Sequence, residues 1–335
     1  MKLYQDNGYV NIAAILRRGL PFNFVVGGRA TGKTFTALMH TVETGTPFML
    51  MRRTQAQADV INKPQFSPFR PINRYRNWDI KTKPISKNNS AIYDGEDETP
   101  LGYTCALSTI ATMRGFDASD VELLIYDEFI PEKHERPLKN EGLAFLNAYE
   151  TINRNRELDG RPPLQVLALA NSNMLDNPIF VELGLVQRAY KMQCEGREIS
   201  IDEKRGIGIF MLRESPISDG KRDTALYKAA GSGEFAAMSL GNEFARDDGI
   251  LIKSMPLAGF NPLVSVGEIC IYSAKSGGGF YVSSHTRGTP PRYGYGDTER
   301  RRFRNAYAWL WVEHMRGRII FESIMCEILL TKYLK

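Results

Sequence analysis

The residues best suited to chemistry are Gly27-Gly28-Arg29-Ala30-Thr31-Gly32-Lys33-Thr34, a G-x-x-x-x-G-K-T stretch after the apolar run Phe22 to Val26 and before the helical pattern of Phe35 to Thr41. Glycines let the backbone turn tightly, so that successive N–H groups point into one concavity, and the positive end of the following helix adds to it. Such a loop binds a polyphosphate mainly through main chain. Lys33 is expected to reach the β- and γ-phosphates and the Thr34 hydroxyl to hold Mg²⁺, which makes ATP and Mg²⁺ the expected ligands of residues 27–34. The competing reading is a glycine turn that only joins a strand to a helix.

A second motif completes the first. Leu123-Leu124-Ile125-Tyr126-Asp127-Glu128 is an apolar strand ending in two carboxylates, a Walker B pattern. Asp127 is expected in the Mg²⁺ shell and Glu128 as the general base that polarises the attacking water, the combination of an ATPase that carries its own base. Charge gathering on the γ-phosphoryl oxygens calls for one more cation, often from a neighbouring subunit. Arg154, in Arg154-Asn155-Arg156, and Arg114, in Thr112-Met113-Arg114-Gly115, both offer one, against the plainer reading of solvated arginines. Asn171, after the run Leu164 to Ala170, is either a sensor of the γ-phosphate or a capping residue.

These residues need strands to present them. The runs Phe22–Val26, Phe48–Arg52, Tyr103–Leu107, Leu123–Tyr126 and Leu164–Ala170 are short and continuously apolar, as strands of a mostly parallel sheet covered on both faces should be. Trp78–Ser86 and Ala91–Asp94 flank a polar turn and predict an edge hairpin, with the stretch near Lys81 to Asn89 a candidate to face a pore. Leu143, Leu146, Tyr149 and Ile152 predict the buried stripe of a helix over 143–156. Beyond residue 205 a connecting region leads to a β-rich part at Ile250–Ile252, Leu263–Val266, Ile269–Ser273 and Phe280–Ser284, closed by a helix over about 300–334. The expected division is therefore 1–207, a linker 208–243, and 244–335.

Composition agrees with two folded parts: 335 residues, 43% hydrophobic and 24% charged, leave ample core and exclude wholesale disorder. Glu322 and Glu327 break the apolar stretch Ile319 to Leu330 well short of the ~20 residues of a membrane span, so no membrane association is expected. Lys2, Gln5, Asp6 and Asn7 leave residues 1–11 without the apolar core of a secretory signal, which points to a cytoplasmic location. The four cysteines and four histidines form no metal-ligand spacing. A net charge of +5 mildly favours a polyanionic partner.

The phosphate loop within Asn23–Thr34, Tyr126-Asp127-Glu128-Phe129-Ile130, Thr151–Arg156 with its Arg-Asn-Arg, Ala170-Asn171 and Asn177-Pro178 together resemble the genome-packaging ATPases of small, protein-primed podophages, which are terminase large-subunit-like motors. The likeness is best over residues 20–182 and fainter later, with Met238-Ser239-Leu240, Asn242 and Phe244 its clearest echo. The resemblance implies an α/β fold: a P-loop ATPase domain of the ASCE type with a mostly parallel sheet, then a smaller RNase H-like α+β domain, a vestigial nuclease. It implies a homo-oligomeric ring, a pentamer in that family, docked on the portal of a procapsid in the host cytoplasm. The ring drives double-stranded DNA inward by ATP hydrolysis, and a packaging RNA is left open as a further partner. Lys33, Thr34, Asp127 and Glu128 carry over directly, with Arg154 as the finger reaching the next subunit and Asn171 as the sensor. Arg114 stands where relatives carry a lysine, a change that keeps charge and alters geometry.

An RNase H-type nuclease needs several carboxylates on adjacent strands to hold two metals. Here Leu263–Val266, Ile269–Ser273 and Phe280–Ser284 carry none, and Asp247, Asp248 and Glu268 lie at their edges, so no cutting is expected. Arg287, Arg292, Arg300, Arg301, Arg302 and Arg304, with Tyr293, Tyr295 and Phe303 among them, could grip a phosphate backbone or a structured RNA, or be a solvated loop and first helical turn. Two further readings stay open, a different ring-forming translocase or helicase and a module that binds ATP without hydrolysing it. Glu128 argues against the second of these, and the Asp-Glu-Phe-Ile and Arg-Asn-Arg pairing with the β-rich second part against the first.

Overall fold

Apolar runs of five or six residues bounded by turns become parallel strands when helices cover both faces, and the first part of the chain stacks its runs in this way. The computed structural model describes residues 1–113, 117–131, 135, 138–171, 175, 177–213, 223–230 and 251–334. The chain divides into two compact units, Met1–Leu185 with Met192–Ala245, and Val186–Lys191 with Arg246–Lys335.

In chain order the first part holds α1 (Ile12–Leu16), β1 (Phe22–Gly27), α2 (Lys33–Thr44), β2 (Phe48–Arg52), α3 (Gln55–Ile61), α4 (Arg70–Arg76), β3 (Ile80–Pro84), β4 (Ser90–Asp94) and β5 (Gly102–Ala106). Then come β6 (Leu123–Asp127), α5 (Glu141–Asn153), β7 (Gln165–Ala170), α6 (Pro178–Glu182), α7 (Val186–Cys194), β8 (Ile199–Asp202), β9 (Ile207–Leu212) and α8 (Ala225–Ala230). Nine strands form one sheet in the order β3-β4-β5-β2-β6-β7-β1-β9-β8, parallel from β5 through β9. The expected hairpin is the antiparallel pair β3–β4 at one edge. The decisive feature is that β7 lies between β1 and β6, which puts one extra strand between the phosphate loop and the carboxylate strand.

The second sheet is six-stranded, from β10 (Leu251–Ile252), β11 (Phe260–Val266), β12 (Ile269–Ala274), β13 (Phe280–Ser283), β14 (Arg292–Tyr293) and β15 (Ile319–Phe321), with α9 (Asp297–Tyr307), α10 (Trp309–Met315) and α11 (Ile324–Leu334). β11, β12 and β13 are antiparallel neighbours, and β15 runs parallel to β13. Strand alternation sorts the side chains. Ile269, Ile271, Val282 and Phe321 join Phe303, Leu310 and Leu330 in one core, while Cys270, Tyr272 and Tyr281 form a smaller cluster with Phe260 and Ile320.

Three expectations are corrected. Residues 208–212, placed at the start of a linker, belong to β9 beside β1, with Phe210 and Leu212 in the main core. The single closing helix over 300–334 is instead α9, α10, β15 and α11: Gly317, at φ 66°, stops the chain after α10, and the β-branched Ile319-Ile320 then pairs with β13. The helix expected over 143–156 spans Glu141–Asn153 and buries Gly142, Phe145, Ala148 and Ile152, leaving Leu143 exposed, because its face is set by the aromatic layer of Phe22, Tyr126 and Phe145. Within the expected linker, 214–222 and 231–243 lie outside the described residues, as do 244–250 with Phe244, Asp247 and Asp248.

Phe210→Ala should lower stability by about 3–5 kcal/mol, the usual cost of emptying a buried aromatic site. Urea unfolding of the full chain followed by tryptophan fluorescence measures it, and a loss under 1 kcal/mol would place residues 207–212 outside the core.

Candidate nucleotide site

The phosphate loop is folded by two left-handed residues, Ala30 at φ 62° and Gly32 at φ 75°, immediately before α2 starts at Lys33. A side chain at residue 32 would also collide with its neighbour, since a Cβ there would lie 2.6 Å from Cγ of Tyr9. The N-terminal segment thus braces the loop, and Val10 N–H donates to the Thr31 carbonyl at 3.0 Å. Lys33 is buried, its Nζ donating to the carbonyls of Gly27 (2.9 Å) and Gly28 (2.7 Å) and to Thr31 Oγ1 (3.2 Å). The ammonium is held inside the loop whose amides would meet a phosphate.

Across the sheet the register brings Val26 of β1 level with Ala170 of β7, and Leu169 of β7 level with Asp127 of β6. Thr34 Oγ1 therefore lies 3.0 Å from both carboxylate oxygens of Asp127. A hydroxyl and a carboxylate converging from the loop and the strand form the hard-oxygen donor set that Mg²⁺ prefers. Glu128 follows in the left-handed region at φ 59° and is 46% exposed, a backbone state that costs on the order of 1–3 kcal/mol for a non-glycine residue. Asn171, next after β7, stands at the same end of the sheet, half-buried.

Sequence reading missed Arg52. It ends β2, the strand on the other side of β6, and its guanidinium bridges Asp127 Oδ2 (3.0 Å) and Glu128 Oε2 (2.8 Å). Arg52 is 12% exposed and Asp127 6%. The available signal was an arginine closing an apolar strand, but its partners depend on β2 lying beside β6. The next residue points to the opposite face. Arg53 is fully buried and pairs with Glu141 at the first turn of α5 (Nε–Oε1 2.6 Å) and with Glu135 (3.0 Å). Burial alone would lower the Arg53 pKa, but the hydrogen bond and charge of Glu141 outweigh it. Burial pushes the nearby Tyr126 phenol well up, and the Glu141 charge adds to the shift.

The arginine candidates separate. Arg154 caps α5 at φ 49°, ψ −134°, is 45% exposed, and lies 3.8 Å from Asp117. Arg156 turns inward, 5% exposed, with Nη2 donating to the Ser119 carbonyl at 3.1 Å. Burial and then the charge of Arg161 lower its pKa. Arg114 lies outside the described residues. Asn177 caps α6, accepting from Phe180 N–H at 3.0 Å.

Beside the loop, a cavity of about 390 Å³ is lined by Gln5, Asn7, Tyr9, Phe35, His40 and Tyr75, among others. Tyr9 and Tyr75 meet the Phe35 ring edge-on, at 5.7 and 6.1 Å. Burial lowers the His40 pKa, against the pull of Glu43.

In the second unit, Glu322 follows β15 and gathers Ser283 Oγ (3.0 Å), Ser284 Oγ (2.7 Å) and His285 Nδ1 (3.0 Å). Among the described residues no group of three or more His, Cys, Asp or Glu side chains could hold a metal. The arginine stretch is divided as well: Arg300 lies over the Tyr333 ring at 5.6 Å, Arg302 pairs with Glu299, Phe303 is core, and Arg287, Arg292 and Arg301 are exposed.

Arg52→Ala should destabilise the metal-free protein by about 3 kcal/mol by leaving Asp127 buried beside Glu128 without its cation. Mg²⁺ should restore part of that loss, so the rise in melting temperature on adding Mg²⁺ should be larger in the variant than in the parent chain. Equal rises would mean that Arg52 does not neutralise the pair.

Residues 5–258 match the family described as Podovirus DNA encapsidation protein (Gp16). A "DNA packaging protein" of Bacillus phage B103 is 28% identical over 237 residues, covering 69% of this chain and 66% of that protein, just under two thirds of its length. Among solved structures, a Phi-28 gp11 DNA packaging motor aligns over 98% of both chains with a TM-score of 0.67 and 18% identity. The bacteriophage Phi-29 viral genome packaging motor assembly aligns over 100% of both chains, with a TM-score of 0.67 and 19% identity. At these identities the two structures speak to the fold. The family match spans well over half of the 335 residues, and the chain belongs to the podovirus DNA encapsidation protein (Gp16) family.

Proposed function

We propose that this chain is an ATP-hydrolysing motor that moves double-stranded DNA into a viral procapsid. The observation that carries the reading is the meeting of Thr34 with Asp127 at 3.0 Å beside Glu128, a hydrolysis site in a chain of a DNA encapsidation family. Loop amides from Gly28 to Thr34 and the Lys33 ammonium bind the triphosphate, and the aromatic cavity beside Phe35 takes the base. Thr34 and Asp127 would hold Mg²⁺, which neutralises charge on the phosphates. Glu128 orients a water and accepts its proton. Asn171 senses the γ-phosphate from the end of β7, and Arg154 of a neighbouring copy adds the last positive charge. Arg114 is the alternative cation.

The copies would form a ring on the portal, a pentamer by family resemblance, at the procapsid in the host cytoplasm. A packaging RNA remains an optional partner. No helix among the described residues is long and apolar enough to cross a membrane. The second sheet, on 244–335, reads as a nuclease-like domain that has lost its chemistry: β11, β12 and β13 carry no carboxylate, and Glu322 is engaged by Ser283, Ser284 and His285. Linear duplex should stay uncut by the full chain in Mg²⁺ or Mn²⁺.

Full-length protein mixed with portal-bearing procapsids and linear duplex should protect DNA from added nuclease only when ATP is present. Strand separation of a forked duplex without protection would indicate a helicase instead. Lys33→Ala should lose nucleotide binding, whereas Glu128→Gln should bind ATP and turn it over about 10²–10⁴-fold more slowly. Equal loss of binding in both would remove Glu128 from the role of base.

A further inference from the structure

We propose that Asn153 and Arg156 are positioning residues that clamp the turn carrying Arg154, so that Arg156 serves the reaction from inside the subunit while Arg154 projects from it. The proposal rests on the reading of Arg154 as a cation for a neighbouring copy's nucleotide.

Arg154 sits at φ 49°, ψ −134°, a conformation that an L-residue keeps only where its surroundings impose it. The surroundings that do so lie one residue before and two residues after. Asn153, the last residue of α5, is buried; its Oδ1 accepts from Leu164 N–H at 2.8 Å and its Nδ2 donates to Glu157 Oε2 at 2.9 Å. Leu164 immediately precedes β7, so this bond ties the helix end to the central sheet. On the other side, Arg156 N–H returns to the Asn153 carbonyl, and Arg161 N–H donates to the Arg156 carbonyl at 2.8 Å, closing the loop. The buried Arg156 guanidinium reaches the Ser119 carbonyl, which Arg161 also contacts.

Ser119 stands two residues from Asp117, a carboxylate 3.8 Å from Arg154. The turn is thereby fixed against the sheet and against the segment entering β6, while the side chain between the two anchors stays about half exposed. Burying a guanidinium is unfavourable unless its hydrogens are bonded, so Arg156 cannot swing out without giving up that contact and opening the loop. The Arg-Asn-Arg motif therefore holds two arginines with different duties.

Mixed rings test this. Full-length Arg156→Met should lose turnover about 10²-fold in the presence of duplex and procapsids, while its affinity for a fluorescent ATP analogue stays within roughly twofold, since only the orientation of a remote group has changed. Mixing it with Lys33→Ala subunits should restore turnover, as mixing Arg154→Ala with Lys33→Ala should. Arg156→Lys, which keeps a donor for the Ser119 carbonyl, should recover part of the rate. If Arg156→Met fails to fold, Asn153→Ala carries the same three measurements. Wild-type turnover by the variant, or rescue of Arg154→Ala mixtures but not of Arg156→Met mixtures, would overturn the clamp alone. Failure of the Arg154→Ala mixtures would remove both the neighbouring-cation reading and the clamp.

Discussion

Adjacent carboxylates at the end of β6, Asp127 and Glu128, share one positive charge. In this chain the charge comes from Arg52, which touches both Asp127 and Glu128 while Thr34 bonds Asp127 from the opposite side. That contact requires β2 next to β6, and the Thr34 contact requires β6 one strand away from β1. The strand order thus decides which charged side chains meet at the site. An order without β2 beside β6 would leave Asp127, 6% exposed, without this guanidinium.

Backbone strain follows the same site. Five non-glycine residues have positive φ among those described: Ala30, Asn77, Glu128, Asn140 and Arg154. Asparagine visits this region more readily than most side chains, and Asn77 and Asn140 occupy it at helix ends. The other three sit in the phosphate loop, at the second carboxylate and at the exposed arginine. Strain concentrated where ligands would be handled is the pattern expected when surrounding structure dictates a side chain's direction. Arg53 extends this control to α5. Strand alternation turns it away from Arg52 and onto Glu141, where a carboxylate also favours the positive end of the helix. One strand end therefore fixes both the carboxylate pair and the helix that ends in Arg154.

The second unit repeats the logic of packing without its charge chemistry. Its antiparallel strands carry apolar and aromatic residues on both faces, and the carboxylate that follows β15 is engaged by serine and histidine donors. Burial alone would raise the Glu322 pKa, but hydrogen bonds, led by those from Ser284, outweigh it and lower it. The arginine-rich stretch, uniform in sequence, becomes several environments once Phe303 turns into the core and carries α9 with it.

Local patterns were legible where covalent neighbours set the chemistry. Gly27 to Thr34 folds as a strand–loop–helix unit because glycine torsions and a helix N-terminus are properties of eight consecutive residues, and Leu123 to Glu128 is readable as a strand with an acidic end for the same reason. Segment boundaries were less legible: β9 and β15 are short strands that fold as such only because β1 and β13 offer edges to pair with. The buried face of α5 likewise depends on which aromatic residues await it. By itself the sequence determined that a glycine-rich strand–loop–helix unit and an acidic strand exist and that the chain folds in two parts. Tertiary structure alone decided that Arg52 neutralises the acidic pair, that Arg156 faces inward while Arg154 faces out, and that β7 separates the two motifs, because each depends on contacts between residues far apart in the chain.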